Sequence, residues 1–305
     1  MKRVSYIITP VTKIDYVIME ESMSLTKKYE ITPSQKMMVF VLTMSLYGLA
    51  TLFSELIPKF QVGIIEFSVE YFLFIPLTLA MLFDPISAAL GAATGELVFS
   101  EIMLGQFGGL GELEKFLTVT IGVYIAGRMV KNPKNKAAVA IASIVGVTVQ
   151  LLMGTIVDIL KVQFAVEEFE AIAGLPESVF FTEGFACLND ILFSGILFCM
   201  LPAMYLVPRL YGKIEPLLGM KPRDEKTIVS DDGVFTPKVV ALSLLGFLCA
   251  IGAEFLAEGG YELIDWEAQW AESTTAVIVA MVLAAVVAIT VIIIIKKKAS
   301  NIEQA

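Results

Sequence analysis

The sequence predicts an all-α, polytopic membrane protein. Hydrophobic residues make up 57% of the chain, and its mean hydropathy is +0.78, which is well above the usual composition of soluble domains. A membrane-spanning helix needs about 20 mostly apolar residues, and eight segments approach or reach this length. These segments are residues 37–57, 70–83, 86–104, 116–130, 137–158, 187–208, 238–257 and 273–295.

The distribution of lysine and arginine supports eight spans with both termini in the cytoplasm. Cytoplasmic loops of membrane proteins carry an excess of these residues. With a cytoplasmic amino terminus, all but three of the 22 basic residues lie on the cytoplasmic side, the exceptions being Lys59, Lys115 and Lys161. We therefore expect a multi-pass protein embedded in the lipid bilayer of the plasma membrane.

The first three helices follow from local sequence signals. Residues 1–36 are too polar and interrupted for a signal peptide and predict a cytoplasmic segment. Asp84 and Pro85 predict a tight hairpin between the second and third helices, because proline disfavours helix at the residue before it. The third helix carries small residues four apart, which lets helices pack closely in lipid. They are Ser87, Gly91 and Gly95, with Ala88 and Ala92 beside them.

Loop composition divides the rest of the chain. The loop 105–115 is rich in glycine, and the loop 161–186 is long and acidic. The final helix has no charged residue in its inner half, which is typical of a lipid-facing anchor. The sequence thus predicts a cytoplasmic segment (1–36), a six-helix membrane core (37–212), a polar cytoplasmic linker (213–236) and two additional helices with a basic tail (237–305).

Composition argues against several classes of protein. The net charge of −9 makes a nucleic-acid partner improbable, and histidine is absent, which excludes histidine metal ligands and a Ser-His-Asp triad. The chain has no Walker A motif and no GxSxG motif, so nucleotide-driven chemistry would need a partner. We therefore expect no enzyme activity, no cofactor and no metal.

Polar side chains collect toward the outer ends of the first six helices. Glu96 lies about two turns inside the third helix, where an ionisable group needs a partner, water or a proton. Phe107, in the glycine-rich loop, is a candidate lid residue. The remaining candidates for substrate binding are Glu101 on the third helix, Gln150 on the fifth, and Asn189 and Asp190 at the start of the sixth.

These residues also have structural interpretations. Glu96 could serve only as a hydrogen-bond partner between helices, and Asn189 with Asp190 could be a simple helix cap. Acids at helix ends, such as Glu55 and Asp158, are expected to face headgroups and water.

The six-helix core resembles the substrate-binding S component of energy-coupling factor (ECF) vitamin transporters. The matching features cover residues 37–212. They are the hairpin IPLTLAMLFDPISAALGAATGEL, the helix FLTVTIGVYIAGRMV before a basic loop, and the segment CLNDILFSGILF. The resemblance implies a six-helix substrate-binding bundle, to which this chain adds two helices.

The resemblance also implies a function. Such proteins capture a vitamin-like micronutrient at the outer face, and a transmembrane T component with ABC-type ATPase subunits then drives its release inward. The candidate residues would bind the substrate, and loops 58–69, 105–115 and 161–186 would close over it. An acid-rich site suits a ligand with positive charge or many hydroxyl and N–H donors. Flavin-like, thiamine-like and queuosine-like compounds fit this description.

Two other functions stay open. A proton-coupled secondary transporter would use Glu96 or Asp190 to carry a proton, and inverted repeats and broken helices would be expected. A non-transport membrane scaffold would use the last two helices to dock a partner. Co-purification of ATPase subunits would distinguish the S component from both.

Overall fold

The computed structural model describes residues 31–57, 60–62, 64–67, 72–164, 167–169, 175–223 and 236–260, with isolated positions between 275 and 290. The described chain is helical apart from a two-stranded antiparallel hairpin, β1 (Phe60–Val62) and β2 (Ile65–Phe67). The predicted all-α class is therefore confirmed. The helices are α1 (Pro33–Glu55), α2 (Phe74–Leu82), α3 (Pro85–Glu96), α4 (Glu112–Met129), α5 (Lys136–Gln163), α6 (Val179–Asp190), α7 (Leu201–Leu210) and α8 (Pro237–Glu258).

Two π-helical segments extend these helices. Leu97–Ile102 continues α3, and Ile191–Met200 joins α6 to α7 in one continuous helix. In the described part of the chain, four helices are long and apolar enough to cross a membrane: α1, α5, the continuous helix Val179–Leu210, and α8. The chain is therefore a membrane protein. The predicted span 273–295 lies almost entirely outside the described residues.

Helix boundaries differ from the predicted ones on the polar side. Helix α5 continues to Gln163, and α6 already begins at Val179, so both helices extend into the predicted loop 161–186. The reason is physical: hydropathy marks the apolar part of a helix, whereas the helix itself continues into polar sequence. Glu183 consequently lies on a helix and not in a loop.

Successive helices alternate in direction, except that α6 and α7 form one continuous helix, and this alternation separates two ends of the bundle. We call one the basic end, where α2 and α4 end and α3 and α5 begin. It carries Arg128, Lys131, Lys134 and Lys136. We call the opposite end the acidic end, where α3, α5 and α8 end and α4 and α6 begin.

Glycine contacts bring α1 and α3 together, as the ladder of small residues predicted. A Cβ added to Gly91 would clash with the carbonyl oxygen of Phe40, and one added to Gly95 with that of Met44. On the facing helix, a Cβ on Gly48 would lie 2.7 Å from the carbonyl oxygen of Gly95. The two backbones are thus in direct contact, with no room for side chains between them.

Helices α4 and α5 meet in the same way. A Cβ on Gly122 would lie 2.6 Å from the carbonyl oxygen of Gly146, and a Cβ on Gly146 would lie 2.9 Å from that of Gly122. The two glycine contacts give the bundle a tightly packed centre. Helix α8 packs on the outside of α4, and several of its leucines are exposed, among them Leu244 and Leu248.

A segment that follows α7 seals the basic end. Arg223 is only 7% exposed, and its guanidinium donates hydrogen bonds to backbone carbonyls at the ends of α2 and α4. The last carbonyls of a helix have no partner within it, and they attract a cation. The acceptors are Gly127 (2.9 Å), Val130 (3.2 Å), Ala80 (3.3 Å) and Phe83.

Arg223 stays cationic in this buried position. Burial lowers the pKa of its guanidinium to about 10, and the nearby Asp84 carboxylate opposes the shift. Asp84 also caps α3, because it accepts hydrogen bonds from the Ser87 amide (3.0 Å) and hydroxyl (2.6 Å). The hydroxyl of Tyr211 donates to the carbonyl of Arg223 (2.5 Å) and anchors the segment.

Gly95→Ala should destabilise the protein, because the new methyl group meets the backbone of α1. Overpacking of this kind typically costs about 1–3 kcal/mol. Gly252→Ala is the matched control, since a Cβ at this helical position meets nothing within 4 Å and alanine favours the helix. Melting temperatures in detergent should fall for the first variant and be unchanged or higher for the second. Equal melting temperatures would contradict the contact.

Arg223→Met should lower the melting temperature strongly, because helix-end carbonyls lose their charged donor. A hydrogen bond to a charged group contributes about 1.5–3 kcal/mol. Arg209→Met is the control, since Arg209 is exposed and lies over the ring of Tyr205. An equal fall in melting temperature in both variants would show that the hydrogen bonds of Arg223 do not contribute to stability.

Candidate functional site

A cavity opens at the acidic end of the bundle. Its volume is about 690 Å³, within the range of about 300–1,000 Å³ that is usual for small-molecule sites. Its walls come from α3, α4, α5, α6 and α8, so it lies where five helices approach one another at one end. We call it the acidic cavity.

Carboxylates dominate the wall of the acidic cavity. Among the described lining residues, eight are acidic and two, Lys115 and Lys161, are basic. The acids come from every helix of the wall. They are Glu96 on α3, Glu112 and Glu114 at the start of α4, Asp158 near the end of α5, Glu183 and Asp190 on α6, and Glu254 and Glu258 at the end of α8.

Each lysine already has carboxylate partners. Lys115 Nζ lies 3.1 Å from Glu101 Oε1 and 3.7 Å from Glu112 Oε2. The contact with Glu101 links the start of α4 to the π-helical segment after α3. Glu101 is only 6% exposed, so Lys115 compensates a carboxylate that is largely removed from water.

Lys161 connects α5 to α8. Its Nζ atom lies 3.2 Å from Asp158, 3.0 Å from Glu167 and 3.2 Å from Glu254. The lysine side chain is 12% exposed and that of Glu254 is 15% exposed. An ion pair shielded from water to this degree is stronger than one on the surface.

Glu96 is one of the most buried carboxylates of the cavity wall. It is 9% exposed, and its Oε2 atom accepts a hydrogen bond from the hydroxyl of Tyr47 at 3.3 Å. The π-helical segment begins at the very next residue, and a second one begins directly after Asp190. Such wide turns are frequent at functional sites, and here both follow a carboxylate of the cavity wall.

Gln150 brings a neutral polar group to the same cavity. It is 6% exposed, and its side-chain amide forms no hydrogen bond to any part of the chain that the structure describes. A buried amide without a partner costs free energy. Its position in the cavity wall makes this amide available to a ligand.

Three of the six predicted site residues line the cavity and three do not. Glu96, Gln150 and Asp190 are in the wall. Glu101 stands behind Lys115, to which it is paired. The other two, Phe107 and Asn189, lie next in sequence to the lining residues Gly108 and Asp190 but are not part of the wall themselves.

Several wall residues were missed or misinterpreted from the sequence. Asp158, which is expected to face headgroups and water, keeps 47% of its side chain exposed, and it also pairs with Lys161 in the cavity wall. Helix α8 was expected to be an addition to the core, yet Glu254 and Glu258 close one side of the cavity. The sequence does contain an indication of this, because Glu254 and Glu258 are four residues apart and so share one helix face. They also end a helix that runs toward the acidic end.

The described residues include no group of three or more acidic or cysteine side chains arranged to hold a metal ion. The carboxylates are spread around the cavity and belong to different helices. The two acids of α8 lie in its last two turns, near the helix end that carries a partial negative charge. The arrangement attracts cations over an extended surface.

The fold and the site define a helical membrane protein with an acidic cavity at one end. The family model described as "Family of unknown function (DUF8171)" matches residues 38–304. The chain therefore belongs to this family, and α8 lies within the matched region. No curated protein and no solved structure shows significant similarity to it.

The ion pair between Lys161 and Glu254 should hold α8 against α5. Melting temperatures of Lys161→Met, Glu254→Gln and the double variant should be non-additive, because residues in contact typically show coupling energies of about 0.5–3 kcal/mol. Lys161→Met combined with Glu177→Gln is the control, since Glu177 is exposed, and its effects should add. Additive effects in both cycles would rule out the coupling.

Proposed function

We propose that this chain is the membrane substrate-binding component of an ECF-type transporter and captures a vitamin-like small molecule in the acidic cavity. The observation that carries the proposal is the cavity of about 690 Å³, whose wall contains carboxylates and the buried amide of Gln150, which has no hydrogen-bond partner among the described residues. Buried polar groups of this kind need a ligand that brings positive charge or hydrogen-bond donors.

The proposed orientation places the acidic cavity outside the cell. The basic end carries arginines and lysines of the loop between α4 and α5, and such residues favour the cytoplasm. In this proposal the chain crosses the plasma membrane eight times, with both termini inside. The glycine-rich loop before α4, with Gly108 already in the cavity wall, would act as one of the lids.

The energy for uptake would come from partners. The chain contains no Walker A motif, so a transmembrane T component and ABC-type ATPase subunits would drive release of the substrate. Purification in mild detergent should recover these subunits together with the chain. Uptake in cells should continue when the proton gradient is collapsed and ATP is maintained.

A proton-coupled secondary transporter is the alternative. The observation that favours it is Glu96, a nearly buried carboxylate of the cavity wall that is bonded to Tyr47. Intramembrane carboxylates often carry protons in transporters. Transport by the purified chain alone in liposomes, driven by a pH gradient, would establish this alternative and overturn the first proposal.

Glu96→Gln should weaken binding of the molecule that co-purifies with the wild-type protein and is identified by mass spectrometry. The amide keeps the size of the side chain but removes the charge. Loss of one charge-assisted hydrogen bond should cost about 1.5–3 kcal/mol, or about one to two decades in affinity. Glu177→Gln is the control, because Glu177 is exposed and lies outside the cavity wall.

The structural interpretation of Glu96 predicts a different result. If this residue only holds α3 against α1 through Tyr47, Glu96→Gln should preserve affinity, and Glu96→Leu should lower the melting temperature. Calorimetric binding and melting curves on both variants separate the two roles. Wild-type affinity in Glu96→Gln would remove the residue from the site.

A further inference from the structure

We propose that the ligand of the acidic cavity is an aliphatic polyamine, an unbranched carbon chain that carries two or more ammonium groups. This inference rests on the proposed function and narrows its substrate class. It is carried by the charge of the wall, by polar groups left without a partner, and by the way the carboxylates are spaced.

The charge of the wall exceeds what its own lysines neutralise. Lys115 is paired with Glu112, and Lys161 with Asp158 and Glu254. In contrast, Glu114, Glu183 and Glu258 form no ion pair or hydrogen bond within the described part of the chain. Glu258 is exposed to water, whereas Glu183 is half-buried and the Oε1 atom of Glu114 is buried. A ligand with more than one cationic group would therefore compensate two carboxylates that the described chain leaves without a cation.

Two buried polar groups point to a ligand independently of the net charge. The amide of Gln150 is 6% exposed, unpaired among the described residues, and part of the cavity wall. The Oε1 atom of Glu114 is also buried, and it accepts no hydrogen bond from any described residue. Gln150 offers a carbonyl oxygen and Glu114 a carboxylate, and both accept N–H groups.

The acceptors are spread along the bundle and not gathered at one point. Glu183 and Asp190 are two turns apart on α6, and Gln150 and Asp158 are slightly more than two turns apart on α5. At 1.5 Å per residue, each pair extends over roughly 10–12 Å. An extended triamine places its terminal ammonium groups over a comparable length, whereas a shorter diamine covers part of it and a compact cation reaches only one end.

The wall between the acceptors suits a methylene chain. It consists of small and aliphatic residues, among them Leu151, Gly154, Val157 and Ala186. The lysines show how this protein holds an alkyl ammonium group: Lys161 Nζ is within 3.2 Å of carboxylates on two helices. A polyamine would repeat this contact with the carboxylates that the lysines leave unpaired.

Calorimetry on the full-length protein in detergent tests the inference with matched probes. Putrescine and butylamine share a four-carbon chain and differ by one ammonium group. We expect putrescine to bind at least about tenfold more tightly than butylamine, and spermidine more tightly still. Glu114→Gln and Glu183→Gln should each weaken spermidine binding by about tenfold, whereas Glu177→Gln should not change it. Gel filtration checks that the variants fold.

The outcomes separate this inference from the proposed function. Tighter binding of thiamine or riboflavin than of spermidine, with loss of binding in Glu96→Gln, would overturn the polyamine and keep the substrate-binding role. Spermidine affinity that is unchanged in both Glu114→Gln and Glu183→Gln would show general charge attraction and overturn the inference. Mg²⁺ that displaces spermidine at equal concentration would overturn it as well.

Discussion

Direct backbone contact between helices is the constraint on which the other features depend. Gly91 and Gly95 leave no space between α3 and α1, and Gly122 and Gly146 do the same for α4 and α5. A centre packed in this way accommodates small polar side chains, such as Thr43 and Ser143, which are fully buried. The charged side chains of the cavity lie at the acidic end, where the helices enclose a volume of about 690 Å³.

Both ends of the bundle contain buried groups with negative charge or partial negative charge, and the two ends differ in how these groups are compensated. At the basic end, a cation from the chain itself binds the helix-end carbonyls that have no partner within their helix, because the Arg223 guanidinium reaches both α2 and α4. At the acidic end, Lys115 and Lys161 compensate part of the carboxylates. Glu114, Glu183 and Glu258 form no ion pair within the described part of the chain. One end is therefore closed by the chain itself, and the other contains the acidic cavity.

The sequence predicted what depends on hydropathy and on short-range signals. The apolar segments predicted the helices, Asp84 with Pro85 predicted the hairpin, and the spacing of Gly91 and Gly95 predicted close packing of α3. The site was predicted only in part, because it depends on how helix ends meet. Helix α8 is apolar along most of its length, so its terminal acids are informative only after its direction is known. The contacts of Arg223 involve backbone carbonyls, which leave no sequence signature.

The seal by Arg223 has a consequence for biogenesis. Helices α2 and α4 leave the ribosome long before residue 223 is made, so their terminal carbonyls must stay hydrated during insertion. The basic end closes only when the chain beyond α7 returns to it. The bundle can therefore reach its final packing at this end only after the segment through residue 223 has been made. If translation stopped just after α7, the helix-end carbonyls at the basic end would remain bound to water.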